Sequence, residues 1–318
     1  MPILSFPCVS LLNVTVKELI SDPDLQAKGM KAVANRNRSA ASVSMMDLSV
    51  EAEAFGSAIR VSDHEVPTVI GAIVEDITQA ENLAIPEVGV ARTGLYINAI
   101  EKAVRLITDR PVFAGMIGPF SLAGRLMDVN EALIKCYEEP ETVHMVLKKA
   151  TEFLIRYAKA YRDVGANGIV MAEPLTGLLS PDLAEEFSEP YVKQIIDAVQ
   201  SDEFMVIYHN CGNGTIRQIE SILRVGAGAY HFGNSINLSE MLGHVPSDVP
   251  VMGNVDPASQ FRSGTPASIK AETKRIMREC GSYPNFIISS GCDIPPMSPW
   301  ENVDAFFEAV SEYYAENE

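Results

Sequence analysis

The chain has 318 residues, of which 47% are hydrophobic, 7% aromatic and 21% charged. This is the composition of a folded globular protein rather than a disordered or fibrous one, and the length accommodates two domains or one large α/β barrel. Its 42 acidic residues outnumber its 25 basic ones to leave a formal charge of −17, which repels phosphate backbones and anionic lipid, so neither a nucleic-acid nor a membrane partner is expected.

The first sixteen residues are uncharged, but Pro2, Pro7 and Asn13 interrupt them and no basic residue precedes the apolar part, so a signal peptide is not expected. No run elsewhere reaches the ~20 apolar residues of a membrane span, and the expected location is the cytoplasm. The five cysteines, Cys8, Cys136, Cys211, Cys280 and Cys292, are odd in number and scattered, which argues against a disulfide framework and leaves some free to act as ligands.

In chain order, short β-branched runs alternate with long amphipathic stretches, the pattern of βα units around a parallel sheet. The first predicted strand is 3–6, and the KAVANRNR stretch after it reads as a solvated helix face. A second strand at 42–46 is followed by a long stretch, 51–110, in which AIRVSDHEVPTV reads as a hairpin. Strand three is 112–116, then come a strong helical pattern over 141–164 and strand four at 168–172. A helix over 181–200 leads to strand five at 204–208, and strands six and seven follow at 229–232 and 250–252. A last helix, 266–280, contains KAETKRIMR, a second solvated basic face, and precedes strand eight at 286–289. Proline opens two of these helices, where its missing N–H costs nothing. Runs such as FMVIY and FIISS are continuously apolar, as in strands covered on both faces.

Eight strands with intervening helices and no flexible linker predict an α/β fold: a single (β/α)8 TIM barrel over residues 1–318, with an elaboration between strands 2 and 3. The competing architecture is a doubly wound open sheet, but no GxGxxG follows a strand and no GxxxxGK[ST] loop is present to support a nucleotide site.

Barrel enzymes build their sites at the C-terminal ends of the strands. After FMVIY comes HNCGNG, placing His209 and Cys211 past one strand end with one residue between them, so an extended backbone points both the same way. After FIISS comes GCDIPP, with Cys292. One imidazole and two thiolates form a soft set suited to Zn²⁺, although a buried cysteine is also commonly a small hydrophobe. Glu173, in MAEPLTG, is a candidate fourth zinc ligand, a general base, or a cap for the helix near Pro181. Asp47, in SMMDLSVEAEAFG, sits at another strand end, where Glu51 and Glu53 open a helix. Asp256, in VMGNVDP, is a substrate contact or a turn residue. His231, in AYHFGNS, is a ligand or a hydrogen-bonded structural residue. His64, His144 and His244 have no cluster around them and are assigned no role.

The run PVFAGMIGPFSLAGRL, the VMGNVDP segment, the HNC pair and the final SSGCDIPP together resemble the uroporphyrinogen decarboxylase superfamily over essentially the whole chain. The resemblance is to its cobalamin-dependent, zinc-containing branch, the methylcobamide:coenzyme M methyltransferase-like proteins. It implies a (β/α)8 barrel and an HxC…C zinc signature formed by His209, Cys211 and Cys292. The implied reaction moves a methyl group between a corrinoid, carried as methylcobamide on a partner protein, and a small thiol such as coenzyme M or a comparable acceptor. Zinc would activate the thiolate, because coordination deprotonates a thiol. The 51–110 stretch is the one candidate for a cap over the mouth where that partner would dock.

Two readings compete. One is a decarboxylase of a tetrapyrrole or small carboxylic acid, in which Asp47 resembles the catalytic aspartate. Against it, the stretch SFPCVSLLNVTVKELI lacks the arginines such enzymes use to bind substrate carboxylates, and SGCD stands where they carry a late histidine. The other is a non-catalytic corrinoid-binding module. His231 stands where many relatives carry an acidic residue, which points to a different acceptor.

Overall fold

The computed structural model describes residues 1–317. Seven of its nine strands form one parallel sheet: β1 (Ser42–Val43), β4 (Val112–Ile117), β5 (Gly168–Ala172), β6 (Met205–Asn210), β7 (Ala229–Phe232), β8 (Val251–Val255) and β9 (Phe286–Ser290) lie side by side in that order. Each is joined to the next by a crossover containing helix, and the sheet curls into a TIM barrel with helices outside. Burial on both faces explains the continuous apolar runs: every residue of β4, β5, β7 and β8 is buried. The interior is filled by alternate residues from successive strands, among them Val43, Phe113, Val170, Ile207 and Met252.

The strand expected at 3–6 is not part of the ladder. Pro2 has no N–H to contribute, and the Ile3 N–H donates to the Ser290 Oγ at 3.0 Å instead of to a neighbouring carbonyl. The Ile3 carbonyl accepts from the Ile294 N–H. Ile3 still points into the barrel interior with Val43 and Met252, so this segment occupies the place of an eighth strand without its hydrogen-bonding pattern.

The helices follow the sequence pattern closely, with one break. The long pattern near 141–164 is the helix Pro140–Asp163, with proline in its first turn, and the pattern at 266–280 is the helix Pro266–Cys280, opened by a Thr265 and Ser268 capping box. The single helix expected over 181–200 is two, Pro181–Phe187 and Glu189–Val199. Pro190 cannot donate the backbone bond that would carry one helix through Ser188.

The 51–110 stretch contains the expected hairpin, formed by β2 (Ala58–Arg60) and β3 (Thr68–Ile70), antiparallel with Ile59 opposite Val69. Around it stand the helices Val50–Ala54, Ile77–Asn82 and Thr93–Leu106. The elaboration is tied to the barrel by backbone bonds from Ile73 and Val74 to the Leu126 carbonyl, and by the Lys149 ammonium, which donates to the carbonyls of Ala80, Glu81 and Leu83. Among the described residues, no helix is long and apolar enough to cross a membrane.

Candidate metal centre at the barrel mouth

β6 ends in His209 and Asn210, and Cys211 follows directly; β9 ends at Ser290, two residues before Cys292. Three places apart in the sheet, these strand ends face each other across the mouth. The potential ligand atoms of His209, Cys211 and Cys292 all lie within 4.8 Å of one another, and Cys292 Sγ is 3.5 Å from His209 Nε2. Zinc–sulfur and zinc–nitrogen bonds of ~2.3 and ~2.0–2.1 Å at tetrahedral angles set sulfur and nitrogen about 3.5 Å apart, so the donor set fits a zinc ion by chemistry and spacing. The Cys211 thiol is pulled down, first by its hydrogen bond with Cys292 and then by His209, while Cys292 is pushed up by the same partnership and by burial.

The loop carrying Cys211 is held by Asn210, which alternation turns to the opposite face. Its amide donates to the Thr176 Oγ1 at 2.7 Å, and its Oδ1 accepts from the Gly212 N–H and the Thr215 hydroxyl. Gly233 lets the next loop pass close beside Cys211, since a Cβ there would stand 2.5 Å from the cysteine's Cα and Cβ.

Behind His209 lies His231, its registered neighbour on β7. Their Nδ1 atoms are 2.8 Å apart, and His231 Nε2 is 2.8 Å from the Ser289 Oγ. Burial holds the His231 imidazolium far below its ordinary range, and a charge on His209 would lower it further. His231 thus lies outside the ligand triangle and touches one of its members. The sequence carried a signal for this contact, since equal positions on adjacent parallel strands share a face.

Glu173 also stands outside the triangle. Its carboxylate accepts from the Phe120 N–H at 2.9 Å and from the Ser121 N–H and hydroxyl at 3.2 and 3.1 Å. It therefore caps the helix Pro119–Met127, while the helix at Pro181 is capped by Ser180. Gly118 makes room for this, because a Cβ there would lie 2.2 Å from Glu173 Cγ and Oε1. Burial pushes the Glu173 carboxyl up to about 8 against the pull of those donors.

Asp47 is enclosed rather than open to the mouth. Arg92 Nη1 and the Tyr96 hydroxyl donate to one of its oxygens, and the Ser49 N–H and hydroxyl to the other. Arg92 also pairs with Glu53 at 2.6 Å. Glu51 is buried, with Oε1 accepting from the Ile117 N–H, and burial raises its carboxyl to about 7. Asp256 caps the wide turn Pro257–Arg262 through the N–H groups of Ala258 and Ser259. Neither aspartate joins the triangle. Sequence reasoning missed Arg92, Tyr96 and Asn210, which carry no motif of their own.

A cavity of about 430 Å³ is lined by Met46, by Asp293, which follows Cys292 in the chain, by His64 and Val66 of the hairpin turn, and by Arg262 and Met297. The elaboration thus shares this cavity with the segment that follows Cys292.

Comparison with known proteins agrees with this layout. The family model described as uroporphyrinogen decarboxylase (URO-D) matches residues 8–313. A methylcobamide:CoM methyltransferase, MtbA, of Methanosarcina mazei is 28% identical over 275 residues, covering 84% of this chain and 78% of the relative. A uroporphyrinogen decarboxylase of Alcanivorax borkumensis is 30% identical over 69% of this chain and 64% of its own. A solved methyltransferase from Methanosarcina mazei superposes with a TM-score of 0.88 at 25% identity, covering 98% of this chain and 94% of that one.

Proposed function

We propose that this chain, which belongs to the uroporphyrinogen decarboxylase family, is a corrinoid-dependent methyltransferase in which His209, Cys211 and Cys292 hold zinc and a small thiol is the methyl acceptor. The observation that carries this reading is the His/Cys/Cys triangle at the barrel mouth, spaced for a tetrahedral zinc. The similarity to methyltransferases over most of the chain supports it. Zinc bound there would deprotonate an incoming thiol near neutral pH, where a free thiol with a pKa of ~8.5 is mostly protonated.

The chain's own residues set the charge and the access. Two thiolates and a neutral imidazole balance a divalent cation, so an acceptor thiolate keeps excess electron density on its sulfur. The cavity between the hairpin turn and the segment after Cys292 is where a small thiol would enter in this reading. The acceptor thiol would give up its proton to solvent on binding beside His209, Cys211 and Cys292, and its sulfur would then take the methyl group, the electron pair of the cobalt–carbon bond staying with the corrinoid that supplies it. The corrinoid comes on a separate protein that docks over the mouth, against the hairpin wall. Five free cysteines suit a reducing cytoplasm.

In this reading Glu173 anchors the Pro119–Met127 helix, and Asp47 and Asp256 hold the loops around the mouth. The decarboxylase alternative is weaker, because Asp47, the residue it needs, is closed in by Arg92, Tyr96 and Ser49. Metal analysis together with methylcobalamin consumption tests the proposal. We expect about one zinc per chain, as for a single closed site, lost in His209→Ala and Cys292→Ser. Demethylation of methylcobalamin should depend on an added thiol such as coenzyme M and fall at least ~100-fold in both variants. Protein without zinc, or with zinc but inert toward methylcobalamin with every thiol tried, would overturn it.

A further inference from the structure

Resting on the zinc reading above, we propose that His231 is a positioning residue. With Ser289 and the Met1 carbonyl it sets His209 in the Nδ1–H tautomer and turns the bare Nε2 toward the two cysteines. The direction of each bond follows from the Met1 carbonyl, which can only accept.

The Ser289 hydroxyl lies 2.6 Å from the Met1 carbonyl and donates to it, because a carbonyl has no proton to give. That uses the single hydroxyl hydrogen. Toward His231 Nε2, at 2.8 Å, the Ser289 oxygen can therefore only accept, and His231 must carry its proton on Nε2. A neutral imidazole has one N–H, so His231 Nδ1 is a lone pair. His209 Nδ1 faces it at 2.8 Å and must be the donor. The His231 carbonyl, 3.2 Å from the same nitrogen, is a second acceptor and demands the same direction. His209 then has its remaining lone pair on Nε2, the atom 3.5 Å from Cys292 Sγ.

His231 and Ser289 are both fully buried, so water does not compete for these bonds. Register supplies the geometry: His231 pairs with His209 across β6 and β7, and Ser289 lies on β9, whose end leads to Cys292. The arrangement gives a ligating histidine an oriented partner on its other nitrogen, the kind of support that fixes ring angle and basicity in metal sites.

Two measurements test it. In zinc-free, histidine-labelled protein, long-range proton–nitrogen correlation spectra should show His209 with a protonated Nδ1 and an unprotonated Nε2, and His231 with the reverse. In chelator competition, His231→Phe, which keeps a ring and loses the acceptor, should bind zinc about 10–100-fold more weakly. His231→Asn, whose Oδ1 takes the place of Nδ1, should recover most of that loss. If the phenylalanine variant does not fold, Ser289→Ala serves in its place and should weaken zinc binding while releasing the His231 proton from Nε2.

A protonated Nε2 on His209 in the wild-type protein would overturn the proposal. So would a folded His231→Phe or Ser289→Ala with wild-type zinc affinity. If the wild-type protein does not bind zinc at all, the zinc reading falls, and the nitrogen spectra still decide the tautomer by themselves.

Discussion

At the scale of single residues, the site depends as much on uncharged supports as on its ligands. Asn210 is fully buried between His209 and Cys211 and satisfies three groups on two segments: Thr176 on one, Gly212 and Thr215 on the other. Truncation removes an amide's donors and its acceptor together, and each buried partner left alone costs about 1–3 kcal/mol. Asn210→Ala should therefore lower stability by roughly 2–4 kcal/mol, read as a fall in the urea midpoint, and should loosen zinc binding through the Cys211 loop. An unchanged midpoint would mean the loop is held by something else. His209, Cys211 and Cys292 were legible in the sequence because a strand-end HxC and a second strand-end cysteine are local patterns. Asn210 was not, because its role depends on the Pro174–Leu178 turn, a contact across 34 positions that no short pattern reports. Glu173 was legible as a rim carboxylate but not as the cap of the Pro119–Met127 helix, since the sequence does not say which helix start lies opposite.

At the scale of elements, the elaboration between β1 and β4 is fixed to the barrel by a buried carboxylate. Glu51, on the helix Val50–Ala54, accepts from the Ile117 N–H at the end of β4 at 3.0 Å. Burial raises its carboxyl from the ordinary 4.5 to about 7, with the bond from Ile117 opposing the shift. The folded state therefore holds a proton that the unfolded chain has released between these two values. Stability from this group is complete below about pH 4.5 and is lost as pH rises through about 7, a difference on the order of 3 kcal/mol. Glu51→Gln keeps an oxygen for the Ile117 N–H and has no proton to lose. The variant should show a flatter fall in unfolding free energy between pH 5 and 8 than the wild type, and should be the more stable of the two at pH 8. Parallel curves would show that Glu51 does not titrate in this window. The hairpin within this elaboration was visible from its alternating residues around SDHE, whereas the Asp47–Arg92–Tyr96 cluster beside Glu51 joins segments about 45 residues apart and left no trace in the local pattern.

At the scale of the whole molecule, barrel closure separates two properties that apolar sequence runs report together: burial and strand pairing. Eight such runs predicted eight strands, and most of their residues are buried as a barrel wall requires, with Met205 exposed and Pro250, Phe286 and Ile287 half-buried, yet residues 3–6 contribute side chains without a ladder. Periodicity reflects which side chains leave water and says nothing of whether Ser290 or a neighbouring carbonyl takes the Ile3 N–H. Energetically this distinction predicts an inversion of the usual expectation. Ile3 lies outside any regular strand and is fully buried, whereas Ile70 lies within β3 and is 51% exposed. Ile3→Ala removes buried methyl and methylene groups from a packed interior and should cost about 2–5 kcal/mol, while Ile70→Ala should stay within about 0.5 kcal/mol. Guanidinium unfolding of the two variants compares them directly. Equal effects, or a silent Ile3→Ala, would mean that the 1–6 segment rests on the barrel rather than completing it. A large Ile3 effect would make the same segment, whose Met1 carbonyl orients Ser289, a part of both the core and the metal site's support.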